Sequence, residues 1–179
     1  MLRILCLSLL LSISCSGERP IQTPNKPAPS AEALPITNPA DSDGEQAFAT
    51  GRRLQGLAHF AAAATAYTQA LAAAPDNAQY HYYLGTVLHA QSRFADARKR
   101  FEKALELNER YAAPRIALGK LLYDVDGDAA NAQRLLSEAL QLAPQAIDAR
   151  YTLAIIQQRE GESEAAGLLF AQVVAADSN

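Results

Sequence analysis

Residues 83–107, YLGTVLHAQSRFADARKRFEKALEL, decide the fold. Two helical patterns lie in this stretch, with a turn between them. Gly85 sits on the first pattern and Ala97 on the second, and Phe101 follows Ala97 by four residues. Spacings of three, four and seven keep such positions on one face of a helix. Small residues at Gly85 and Ala97 let two backbones approach closely. A large side chain at Phe101 then fills the gap toward a neighbouring element. The stretch therefore predicts a hairpin of two packed helices.

The same pattern recurs on both sides. Gly51, Gly85, Gly119 and Ala154 are spaced by 34, 34 and 35 residues. Ala63, Ala97, Ala132 and Ala166 follow the same period, as do Tyr67, Phe101, Leu136 and Phe170, and then Ala70, Ala104, Ala139 and Val173. Leu54, Leu88 and Leu122 precede the turns, with Gln157 as the polar exception. Pro75 and Pro144 close two of the units, where Glu109 and Ser178 stand in the others. One hairpin cannot bury both its faces, so units of this kind must stack.

The residues Tyr83-Leu84-Gly85, Phe94-Ala95-Asp96-Ala97 and Phe101-Glu102-Lys103-Ala104-Leu105-Glu106-Leu107 resemble the tetratricopeptide repeat (TPR) family. The resemblance covers residues 44–179, with units at 44–77, 78–111, 112–146 and 147–179. It implies an all-α fold, a right-handed α-solenoid of four stacked helical hairpins. The chain departs from the family pattern early in each first helix, where an aromatic is replaced by Ala47, His81, Arg115 and Arg150. It departs again in the third turn, which holds one extra residue. Unit four is the most divergent.

The amino terminus reads differently. Arg3 supplies a positive charge, and Ile4 to Ser14 is apolar or small. Eleven helical residues span about 16 Å, well short of the ~30 Å hydrocarbon core of a bilayer. A basic start, a short apolar stretch and small residues at its end describe a secretory signal over residues 1–14. Leu11-Ser12-Ile13-Ser14-Cys15 resembles the lipobox of bacterial lipoproteins, which implies cleavage before Cys15 and its acylation. Ser12 departs from the usual leucine. The alternative is ordinary signal cleavage at the small-x-small pair Ser12 and Ser14. Stable anchoring takes two acyl chains, since each buried methylene contributes about 0.8 kcal/mol. Ser16 stands where family members retained in the inner membrane usually carry Asp, so the resemblance points to the outer membrane.

Residues 15–43 read as a disordered linker. Six of the nine prolines lie there, and proline fixes φ and lacks an amide donor. In an extended polyproline conformation the 28 residues after Cys15 reach about 87 Å. Ser42-x-x-Glu45 reads as a capping box opening the first helix.

The formal charge of −3 with both signs interspersed argues against a nucleic-acid footprint. Cys6 and Cys15 are the only cysteines, so the repeat region holds no thiol for a disulfide, a metal or a nucleophile. Asp124-Val125-Asp126-Gly127-Asp128 opens like a calcium loop, but Ala129 and Leu135 stand where an EF-hand needs Gly and Glu. It reads instead as a turn that absorbs the extra residue, with Asp128 capping the next helix. His59, His81 and His89 read as surface or groove residues. No phosphate loop, nucleophile elbow or paired-acid site is legible. The reading is a binding module, with no enzyme, cofactor or metal site.

By resemblance, partners occupy a concave groove lined by the first helix of each hairpin. The positions turned away from the second helix are Phe48, Arg52 and Gln55 in unit one, then Tyr82, Thr86 and His89 in unit two. Unit three offers Ile116, Lys120 and Tyr123, and unit four Tyr151, Ile155 and Gln158. Aromatic bodies with polar tips suit a protein interface. Chaperone-binding members of the family clamp a terminal carboxylate with Asn and basic residues. The matching Asn places hold Ala49, Tyr83, Ala117 and Thr152, so that clamp is not expected here. Leu168, Leu169, Val173 and Val174 make the last helix apolar, and the expectation is self-association or partner docking through it. The function expected is a lipid-anchored adaptor on the periplasmic face of a bacterial outer membrane, as in pilus-assembly and cell-wall lipoproteins with similar repeats. The alternative is a soluble secreted or periplasmic module.

Overall fold

The computed structural model describes residues 39–177. The expected export signal, Cys15 and most of the expected linker lie outside the described residues. Four helical hairpins follow one another. They are α1 (Pro39–Gly56) with α2 (Phe60–Ala73), α3 (Ala78–Ala90) with α4 (Phe94–Leu107), α5 (Ala112–Leu121) with α6 (Ala129–Leu142), and α7 (Ile147–Arg159) with α8 (Ser163–Asp177). No helix among the described residues is long and apolar enough to cross a membrane.

The first helix begins earlier than its sequence suggested. Pro39 starts α1, so residues 39–43 are helix rather than linker. Proline suits a first helical position, where its missing N–H would be unbonded in any case. Ser42 therefore stands inside the helix, and the Ser42–Glu45 capping box does not open it. Gly44, just after the added residues, is buried against α2, and a Cβ there would lie 3.1 Å from Ala73 Cβ.

Each hairpin turn is built the same way. A left-handed residue ends the first helix: Ala58, Ser92, Gly127 and Gly161 in turn. The next amide then bonds back to the carbonyl of the residue preceding the turn. These bonds are His59 N to Leu54 O at 2.9 Å, Arg93 N to Leu88 O at 2.9 Å and Glu162 N to Gln157 O at 2.8 Å. Each closes a five-residue step, the Schellman arrangement that satisfies helix-end carbonyls. In the third hairpin Asp128 N bonds to Leu122 O at 3.1 Å, a step one residue longer. The extra residue is wound into a π-helical turn, Leu122–Asp126, that continues α5. Insertion inside a helix commonly takes this form. Asp128 then caps α6, accepting from Asn131 N at 3.1 Å.

The small-residue positions form the hairpin crossings. Ala63, Tyr67 and Ala70 of α2 are fully buried, as are Ala132, Leu136 and Ala139 of α6. In α4, Ala97 and Ala104 are fully buried and Phe101 is 1% exposed. Burying a side chain of Phe or Leu size contributes about 1.5–3 kcal/mol, so this ladder supplies much of the driving force. The fourth rung is incomplete. Ala166 is buried, but Phe170 and Val173 are only partly covered, and Leu168 and Val174 are 64% and 66% exposed.

Polar residues replace the missing aromatics by bonding to the backbone or to a carboxylate. His81, read from sequence as a surface or groove residue, is 6% exposed. Its Nε2–H donates to the Pro75 carbonyl at 2.9 Å. A polar ring can be buried there because a main-chain acceptor is waiting for it. Arg150 reaches Pro144 O in the corresponding place, and Arg115 pairs with Glu138 at 3.3 Å.

Candidate partner-binding face

The first helices α3, α5 and α7 pack side by side. Two open clefts lie along them. The larger, about 510 Å³, is walled by Tyr82, Ile116 and Lys120 and closed by Ile147 and Asp148 at the start of α7. The smaller, about 170 Å³, is lined by Thr86, His89, Phe101, Ala117 and Lys120. Lys120 belongs to both. Five of the sequence-predicted groove residues (Tyr82, Thr86, His89, Ile116 and Lys120) are thus brought into one strip.

Tyr82 is half-buried in an aromatic cluster, with ring centroids 5.2 Å from Tyr83, 5.5 Å from Tyr111 and 6.1 Å from Phe101. Burial pushes its hydroxyl pKa up, with the neighbouring Tyr83 and Asp148 adding to the effect. Burial likewise pushes Tyr111 up to about 12. These phenols stay neutral at physiological pH and offer hydrogen-bonding tips on an apolar wall. Lys120 and Asp148, which both line the larger cleft, make no ion pair among the described residues.

Unit one contributes support rather than lining. Phe48 stacks on Tyr80 at 4.7 Å and meets Tyr83 edge-on at 5.1 Å, so it packs against the core. Gln55 accepts from Tyr67 Oη at 2.7 Å, and its Nε2 donates to Thr86 Oγ1 at 3.3 Å. The Thr86 hydroxyl donates in turn to Tyr83 O at 2.8 Å. This chain of bonds ties α2 through α1 to α3. Arg52 is exposed, its guanidinium 5.8 Å from the centre of the Tyr83 ring.

The other predicted groove residues of units three and four stand apart from the strip. Tyr123 lies in the π turn, where Arg159 covers its ring at 5.7 Å and donates to its hydroxyl at 3.3 Å. Tyr151 is 49% exposed and meets Phe170 edge-on at 5.9 Å. Ile155 is half-buried and Gln158 exposed, and neither lines the two clefts.

Tyr83, Tyr111, Ile147 and Asp148 were missed from sequence. Tyr83 belongs to the Tyr-Leu-Gly motif and was visible as a family position. Asp148 enters from the next unit across a turn, and no local pattern announces that.

Tetratricopeptide repeat profiles match residues 48–114 and 126–179, together spanning most of the helices. The chain belongs to the tetratricopeptide repeat proteins. Solved structures agree with that fold. The TPR protein superposes on PilF of Pseudomonas aeruginosa with a TM-score of 0.72 at 21% identity, over 79% of this chain and 64% of that one. It matches YrrB, a TPR protein with an unusual peptide-binding site, with a TM-score of 0.62 at 22% identity, over 77% and 71% of the two chains. It matches the first TPR domain of Spaghetti (RPAP3), solved with an HSP90 peptide, with a TM-score of 0.63 at 19% identity, over 68% and 95%. No curated protein sequence matches the TPR chain significantly.

Proposed function

We propose that this protein is a lipid-anchored adaptor of a bacterial envelope that grips a segment of a partner protein along the strip formed by Tyr82, Ile116 and Lys120. The fold itself makes a protein-interaction scaffold, and TPR domains of similar structure hold peptides. One observation carries the choice of strip. Lys120 lines both of two adjoining clefts, and the larger of them also holds Tyr82, Ile116, Ile147 and the unpaired Asp148. Such a surface fits an apolar side chain flanked by charges. Aromatic anchors in half-buried pockets concentrate binding energy, and Lys120 and Asp148 fix register.

Anchoring is supported by the sequence alone, from Arg3, the apolar stretch and the small residue before Cys15. Labelled palmitate should enter the wild type and not Cys15→Ala, and the wild type should fractionate with outer membranes. No label and a soluble wild type would leave an unanchored binding module. For the strip, a photo-crosslinker placed at Lys120 in intact cells should capture a discrete partner, and one placed at Arg134 on α6 should not. Equal capture at both positions would refute the strip. Lys120→Glu should weaken partner capture while leaving the melt unchanged.

A further inference from the structure

The second helices carry a cleft that shares no residue with that strip. Between α2 and α4 lie two adjoining hollows, of about 270 and 400 Å³, which have Ala64, Thr68 and Arg93 in common. Leu84 and Leu88 of α3 line the smaller hollow. The two banks differ in charge. The α2 sequence, FAAAATAYTQALAA, holds no ionisable group except the buried Tyr67. The α4 bank carries Arg93, Lys99 and Arg100 against one acid, Asp96.

Ion pairing does not cancel this excess. Arg93 holds Asp96 through Nε at 3.0 Å and Nη2 at 2.6 Å. Arg100 Nη1 lies 3.4 Å from His81 Nδ1. That nitrogen is an acceptor, because the ring's Nε2–H is donated to the Pro75 carbonyl. Lys99 pairs with no carboxylate among the described residues. Two positive charges are therefore uncompensated in a chain whose net charge is −3. The hollow's polar lining adds a further donor. Gln91 borders it, and its buried Nε2 has no hydrogen-bond partner among the described residues.

We infer that this cleft is a second docking site, for an acidic segment of a partner protein. Two carboxylates would meet Lys99 and Arg100, while aliphatic carbons between them lie on Ala61 and Ala64 of α2. A protein segment suits the cleft better than nucleic acid. A nucleic-acid footprint neutralises many phosphates along a stripe, and here only two cations are free. Two sites on separate helix faces would let one adaptor hold two segments at once, which raises avidity without new contacts.

The test uses the full chain and a labelled peptide alternating glutamate with leucine, read by fluorescence polarisation. The wild type should bind it, and binding should weaken as salt rises, because exposed charges are screened. Lys99→Glu with Arg100→Glu should weaken binding about tenfold or more, a change of ~1.4 kcal/mol per decade. Lys99→Gln alone, at an exposed position that leaves the His81 contact intact, should weaken it measurably with an unchanged melt. Arg110→Glu, at an exposed turn position outside the cleft, should leave it unchanged, and the glutamine version of the peptide should not bind. Undiminished binding by the Lys99→Glu, Arg100→Glu protein, or equal weakening by Arg110→Glu, would overturn the assignment. So would equal binding of the glutamine peptide, or tighter binding of a single-stranded oligonucleotide.

Discussion

Replacing Gly85 by alanine places one methyl group where the third helix crosses the fourth. That methyl would lie 2.5 Å from Phe101 Cε1 and 2.7 Å from Cδ1. Carbon atoms prefer about 3.5–4.0 Å, so the ring must retreat by about 1 Å. It has little room, being 1% exposed and packed against Tyr82. Overpacking costs about 1–3 kcal/mol, and a 1 Å clash with so confined a ring belongs in the upper part of that range, about 2–3 kcal/mol. Alanine returns about 1 kcal/mol in helix propensity. The net expectation is a loss of ~1–2 kcal/mol. Gly51→Ala should lose at least as much, because the methyl meets Tyr67 at 2.5 Å and that ring is tethered by its hydroxyl to Gln55. At Gly119 the nearest atom is Leu136 Cγ at 3.2 Å, so clash and propensity should nearly cancel. At Gly167, in α8, nothing lies within 4 Å, and alanine should stabilise by up to about 1 kcal/mol. Urea unfolding of the full chain at 25 °C, followed by circular dichroism, ranks the four. A Gly85→Ala protein as stable as wild type, or one more stable than Gly167→Ala, would refute the crossing geometry.

His81 is held neutral, its pKa lowered chiefly by burial despite its bond to Pro75. The unfolded ring binds protons more readily, so the stability it contributes is present above pH ~6.5 and is lost as pH falls through the lower folded value. Unfolding midpoints from pH 7.5 to 5 should fall more steeply in wild type than in His81→Gln, and identical slopes would refute this. Asp128 has its pKa lowered by the Asn131 side chain and then by the Asn131 amide. Its cap should therefore weaken as pH falls below the usual Asp value, and Asp128→Ala should melt lower at neutral pH yet converge with wild type in acid. Tyr67→Phe removes the bond to Gln55 and should cost about 0.5–1.5 kcal/mol, readable in the same urea titration. Ser92 carries a left-handed φ of 61°, so Ser92→Gly should relieve strain and raise the melt slightly, whereas Ser92→Val should lower it by about 1 kcal/mol or more.

Much of the fold was readable because its determinants are periodic. The residues that recur near 34 positions apart, such as Gly51 with Gly85 and Ala63 with Ala97, are those buried at the crossings. The residues before the turns, Leu54, Leu88, Leu122 and even Gln157, share a backbone role as acceptors, which explains why a glutamine fits the series. The start of α1 was not readable, because a Ser-x-x-Glu pattern has the same form inside a helix as at its end. His81 was misplaced for a related reason. Hydrophobicity predicts exposure for a lone histidine, and only the three-dimensional position of Pro75 O reverses that. For the candidate face, sequence named the helices and several walls. It did not reveal that Phe48 turns toward the core, or that the start of α7 closes the larger cleft. Both depend on how one hairpin sits against the next.

The π turn at Leu122–Asp126 has a consequence for heredity as much as for shape. A periodic array is vulnerable to frameshifts in its own spacing, because a single inserted codon could throw every later rung out of phase. Here the error is confined to five residues. Ala132, Leu136 and Ala139 return to the interior as if nothing had been added. A gene encoding such an array can drift in unit length while its product keeps its pitch, and the site of the drift becomes raw material. It is at this turn that Tyr123 receives Arg159, and that Arg98 of α4 meets Asp126.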